Sequence, residues 1–134
     1  MLEYDIFRQM GAISRRAMMM MNHEVQEFGL ANNLFLYLVR IVEHEGLTQS
    51  ELATLIQIDK TTLSRALKKL EDRGYIEKVA GEANRNFKRL YPTEAGKMIY
   101  QKVIQIEHDD VFDKLAALNS EEKEQLMALL SKIN

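Results

Sequence analysis

With 134 residues, 46% of them hydrophobic, and a formal net charge of −2, the chain is sized for one domain with a core and has no bulk attraction for nucleic acid. It has no cysteine, which excludes disulfides, thiolate zinc sites and thiol-based redox sensing. No apolar run approaches the roughly 18–20 residues of a membrane span, and the N-terminus has no signal-peptide pattern, so a soluble cytoplasmic protein is expected.

In chain order, residues 2–27 predict one long helix with Leu2, Ile6, Met10, Ile13, Ala17, Met20 and Met21 on an apolar stripe. Residues 33–44 predict a second helix that is apolar almost all round, hence central and buried. Thr48-Gln49-Ser50-Glu51 has the spacing of a capping box opening a third, with Leu52, Leu55 and Ile56 at helical steps. Gln57-Ile58 makes a tight break without the glycine that many such turns carry. Asp59 then caps a fourth helix over 60–73, stopped by Gly74. Two short helices joined this way form the unit that sets its second helix into a DNA major groove.

That second helix sorts its residues by face. Leu63, Ala66, Leu67 and Leu70 recur at three- and four-residue steps and point inward. Lys60, Thr61, Thr62, Ser64, Arg65, Lys68 and Lys69 lie opposite, and each can donate a hydrogen bond to a phosphate or a base edge. A merely solvated amphipathic helix would look the same, so the segment after Gly74 carries weight. Residues 75–79 and 87–91 alternate as strands around a polar tip over 80–86, which predicts a hairpin with Arg85 at its tip and Lys88 and Arg89 on the return. Such cations suit a phosphate backbone or a narrow minor groove. Pro92 is expected to break the strand, and Thr93 to open a helix over 94–118. A last helix, capped at Asn119 or Ser120, carries Leu126, Leu129, Leu130 and Ile133. Residues 57–91 hold nine Lys or Arg against five Asp or Glu, a net of +4, which leaves −6 on the remainder. A basic region on an acidic body favours one docking orientation.

The whole order predicts a mainly α fold with a small β-hairpin wing: a winged helix-turn-helix head flanked by terminal helices. One small core cannot cover the apolar faces of those helices, so a second copy is expected to do so; the alternative is a monomeric bundle with a swollen core.

The chain resembles the MarR (multiple-antibiotic-resistance regulator) family of transcription factors over nearly its full length. The likeness is most specific in Leu47-Thr48-Gln49-Ser50-Glu51-Leu52-Ala53, in Thr62-Leu63-Ser64-Arg65, in Leu70-Glu71-Asp72-Arg73-Gly74-Tyr75-Ile76 and in Thr93-Glu94-Ala95-Gly96. It implies a single MarR-like domain, with a DNA-binding head over 30–96 and dimerisation helices over 1–28 and 97–134. It further implies a homodimer on a pseudo-palindromic operator in double-stranded DNA, repression, and an effector pocket between head and dimer region. Thr48 and Gln49 join the seven donors of the fourth helix, Arg85 and Lys88 as expected DNA contacts. The family usually reads Asp-Arg-Arg at the wing tip; here the slot is Asn84-Arg85-Asn86, so only Arg85 carries over and the ion pair that would brace the tip is lost.

Other features point elsewhere. Arg15 and Arg16, with Tyr37, suggest a site for a small phenolic or other aromatic effector by analogy with relatives; a solvated arginine pair is the plainer account. His23, His44 and His108, near Glu24, Glu43, Glu107 and Asp109, are of metal-ligand type, but without HxxxH spacing no metal site is assigned. The run Met18–Met21 reads as helix spanning core and seam. No Gly-rich phosphate loop and no Ser–His–Asp set is present, so neither enzyme activity nor a cofactor is expected. Besides a DNA-binding regulator, a winged-helix protein-interaction module and a metal-sensing regulator of the same fold stay open.

Overall fold

A computed structural model, describing residues 1–81 and 88–134, puts helix α2 (Leu34–Glu43) at the centre of the chain. Leu34, Phe35, Tyr37, Leu38, Val39 and Ile41 are all buried, as the near-continuous apolar run requires. Around it lie α3 (Gln49–Ile56), α4 (Lys60–Asp72) and α5 (Glu94–Leu115). Leu52 from α3, Leu63, Leu67 and Leu70 from α4 and Val103 from α5 complete a core that Leu90 closes from the hairpin. Each such leucine contributes about 1.5–3 kcal/mol through burial.

The hairpin pairs β1 (Ile76–Ala80) antiparallel to β2 (Lys88–Pro92), in the register Ile76 to Pro92 and Ala80 to Lys88. Strand β1 sits one residue later than the alternation predicts, and β2 runs one residue further, so that Pro92 ends it rather than breaking it. A proline lacks an N–H donor and fixes its φ, and both are tolerated at the last rung of a strand, where Pro92 stands opposite Ile76. A third segment, unforeseen from the sequence, pairs with β2. The Gly46 amide donates to the Leu90 carbonyl at 2.8 Å, the Leu90 amide to the Leu47 carbonyl at 2.9 Å, and Thr48 bridges Arg89. Three residues are too few to show an alternating pattern.

The single helix expected over 2–27 is corrected. Helix α1 (Leu2–Glu24) stops at Val25, and a 3-10 turn (Gln26–Phe28) comes next, closed by Gly29 at φ 73°. The turn buries Val25 and Leu30, and that tertiary gain outweighs continuing the helix. Helix α5 likewise ends at Leu115 rather than 118. Helix α6 (Ser120–Ile133) is capped by Asn119, whose side-chain oxygen accepts from the Glu122 amide at 2.8 Å while Glu122 accepts from the Asn119 amide at 3.0 Å.

The outer helices are left uncovered. No residue of α6 is buried, and Leu129 is 57% exposed. Along α1 the predicted stripe at Leu2, Ile6 and Ile13 lies open, and so do Tyr4 and Phe7 on a second face. No helix of the described residues is long and apolar enough to cross a membrane.

Candidate nucleic-acid interface

The interface begins with two helix caps. Thr48 Oγ1 accepts from the Glu51 amide at 3.1 Å and Glu51 Oε1 accepts from the Thr48 amide at 3.3 Å, so the capping box forms as its spacing predicts. Thr48 is only 7% exposed, however, so its side chain holds α3 in place and does not reach outward as expected of a DNA contact. Gln49 is half-buried and Ser50 is exposed. The turn after α3 has Gln57 at φ 60° and ψ 55°, the left-handed conformation a glycine would ordinarily supply, and the Ile58 amide closes it onto the Ala53 carbonyl at 3.1 Å.

Asp59 caps α4. Its Oδ2 accepts from the Thr62 amide at 2.9 Å and its Oδ1 from the Thr62 hydroxyl at 2.7 Å. Those bonds, the amide first, hold the Asp59 carboxyl below the usual carboxylate range. They also commit the hydroxyl proton of Thr62, which leaves that side chain less to offer a base than Thr61 or Ser64. The spacing Asp-x-x-Thr is the sequence signal for this second bond.

From this start α4 presents the faces its periodicity predicts. Leu63, Ala66, Leu67 and Leu70 are buried, whereas Lys60, Thr61, Thr62, Ser64, Arg65, Lys68 and Lys69 are exposed. Lys68 Nζ stands 3.9 Å from Asp72 Oδ1, an exposed pair that holds it only weakly. Among the described residues, the side chains of Lys60, Thr61, Ser64, Arg65 and Lys69 hold no hydrogen bond or ion pair. Arg73 turns back, its Nη1 donating to the Lys69 carbonyl at 3.3 Å, and so finishes the helix.

The wing is tied to this unit from below. Arg89 Nη1 donates to the Gly46 carbonyl at 2.8 Å, which makes it a brace between β2 and the α2–α3 corner. Lys88 is exposed beside it. Arg85, with Asn84 and Asn86, lies outside the described residues. At the foot of the wing Tyr75 donates from its hydroxyl to the Phe28 carbonyl at 2.8 Å, and Thr93 from its hydroxyl to the Gly74 carbonyl. A Cβ on Gly96 would stand 2.1 Å from the Tyr75 carbonyl oxygen, which is why the Thr-Glu-Ala-Gly run ends on glycine.

The residues expected at an effector site do not converge. Tyr37 belongs to the core at 2% exposure, where burial first and the charge of Asp59 second push its phenol up. Arg16 is exposed, and the guanidinium of Arg15 lies back along α1 over Gly11. A hollow of about 460 Å³ between α1 and α5 is lined instead by Met20, Glu24, Ile106, Asp109, Asp110 and Asp113. The histidines are likewise dispersed: His23 on the last turn of α1, His44 at the end of α2, and His108 on α5 with its ring 4.2 Å from that of Phe112. Among the described residues no three His, Asp or Glu side chains gather as metal ligands would.

Residues 30–85 match the model of the MarR family. The chain is 40% identical over 129 residues to the uncharacterized HTH-type transcriptional regulator YybA of Bacillus subtilis, covering 96% of this chain and 86% of that one. Its fold matches the crystal structure of the transcriptional regulator SlyA with a TM-score of 0.92 at 36% identity, over 96% of this chain and 91% of that one. The same TM-score and identity relate it to a MarR family transcriptional regulator from Listeria monocytogenes complexed with 26mer DNA, over 95% and 85% of the two chains.

Proposed function

The chain belongs to the MarR family of transcriptional regulators, and on that premise we propose that it reads a pseudo-palindromic operator in double-stranded DNA as a homodimeric repressor released by a small molecule. The observation that carries the reading is the outward face of α4. It is capped, braced from behind by the core, and lined with uncommitted donors at Thr61, Ser64, Arg65 and Lys69. Its exposed side chains include no apolar group of the kind a protein-docking helix would offer. The Listeria relative complexed with DNA supports the same partner here. Residues 30–96 form the head in this reading, and 1–28 with 97–134 the dimerisation arms.

Roles within the head differ by geometry. Arg65, long and exposed at mid-helix, forks onto a base edge, while Lys60, Lys68, Lys69 and Lys88 meet phosphates. Thr61 and Ser64 add shorter donors, and Gln49 at the start of α3 a backbone contact; Arg85 is assigned to the wing by family resemblance alone. Arg65→Ala is expected to cost about 1–3 kcal/mol and relax preference at one base pair per half-site. Anisotropy titrations against a panel of single-base operator variants check this; an unchanged panel would remove Arg65 from the reading face.

For release, we assign the charge that would attract an anionic aromatic ligand to Arg15 and Arg16, both exposed on α1, while Tyr37, enclosed in the core, contributes only by packing. Coupling of this kind is typically about 1–3 kcal/mol, roughly 5–150-fold in DNA affinity, and it is reciprocal. Titration calorimetry of salicylate with and without operator therefore returns two different affinities; equal values would rule out induction by that ligand.

A further inference from the structure

Among the described residues, the non-glycine residues with positive φ are Asn32 at 59°, Asn33 at 66° and Gln57 at 60°. Two of these three are bonded by side chains at the terminal helices. Asn22 on α1 donates from Nδ2 to Asn33 Oδ1 at 2.8 Å and accepts from the Asn33 amide at 2.8 Å. Asn134, just past α6, accepts at Oδ1 from Gln57 Nε2 at 2.9 Å.

Neither side-chain bond caps the helix beside it. Asn33 sits at the N-cap of α2, where an asparagine normally bonds a first-turn amide, yet it makes no such cap and gives its oxygen to Asn22 instead. Gln57 is not a residue type that favours the left-handed region, which a glycine would enter without strain. Both head-side partners stand at the entrance to a helix: Asn33 directly before α2, Gln57 two residues before the Asp59 cap of α4. Helix α2 packs on α4, so both entrances lead to the same reading face.

We infer that these two amide pairs are latches between the dimerisation arms and the head, which makes Asn22, Asn33, Gln57 and Asn134 positioning residues for operator recognition. While the latches are closed, the arms hold two left-handed entrance residues in place and fix the angle at which α4 leaves the body. Opening either one lets its entrance relax, and the separation of two reading helices in a dimer loses definition. The inference rests on the reading of the chain as a dimeric operator binder.

The test uses Asn22→Ala, Asn134→Ala and the double variant, none of which alters the reading face. Affinities are measured on an operator selected from random DNA by the unmodified protein, and on versions with the half-sites moved by one base pair. Each single variant is expected to stay dimeric by sedimentation and to narrow the ratio between correct and shifted spacing about twofold to tenfold, the worth of one or two hydrogen bonds. The double variant narrows it further. Asn134→Asp keeps the acceptor for Gln57 and restores the ratio. Variants that remain dimeric with an unchanged ratio would overturn the latches, as would a uniform loss of affinity across all spacings. Asn134 is exposed, so its variant folds even where loss of the part-buried Asn22 pair does not. Failure of the unmodified protein to select any operator would instead defeat the functional reading, and the latches with it.

Discussion

Individual positions in this chain are decided by what stands behind them more than by their own chemistry. Gly96 shows this most sharply, because the atom that forbids a side chain there is the backbone oxygen of Tyr75 and not a flexible neighbour. Helix α5 and the exit of α4 must separate to admit even a methyl group. Gly96→Ala is therefore expected to destabilise by about 3 kcal/mol, the upper part of the usual cost of overpacking, and to move the urea midpoint accordingly. A midpoint within error of the unmodified protein would mean that the two elements are not in contact. Thr48 and Tyr37 teach the same lesson in reverse. Both are residue types that suit a binding role, and both are enclosed.

At the level of elements, α4 divides its work between faces, and the two kinds of outward donor make different predictions. The Lys69 side chain has no partner among the described residues, and in the proposed reading it meets a phosphate and releases counterions. Lys69→Ala should weaken binding to every sequence alike and lower the slope of log affinity against log salt by about one for each phosphate left without its cation. Titrations across a salt series separate this from a base-reading effect. A steeper loss on the preferred operator than on random DNA would reassign Lys69 to base recognition. Lys68, already near Asp72, is expected to matter less. The wing is an element of a different kind: Arg89 braces it against Gly46, so its orientation is inherited from the α2–α3 corner.

Across the whole molecule the unfinished feature is the apolar surface of the arms. Phe112 on α5 and Leu126, Leu129, Leu130 and Ile133 on α6 are exposed together with the stripe of α1, more than scattered surface residues account for. A second copy that covers them would set two α4 helices about 34–36 Å apart, one turn of DNA. Leu129→Asp with Leu130→Asp is expected to yield monomers or aggregates and to abolish tight operator binding. Sedimentation of the unmodified protein as a stable folded monomer would refute the assembly.

Much of the molecule was legible in the order of residues, because caps, periodicity and breaks act over three or four positions. The box at Thr48 and Glu51, the cap at Asp59, the inward stripe Leu63 to Leu70 and the start at Thr93 are all local patterns, and each formed where it was read. What local patterns cannot carry is a contact between distant segments. The strip at Gly46 to Thr48 beside β2 and the amide pairs to Asn22 and Asn134 depend on segments 11 to 77 residues apart. Burial separated Thr48 and Tyr37 from the exposed donors of α4 for the same reason: exposure belongs to the packed chain, and a residue's neighbours in space are set only when the helices close on one core.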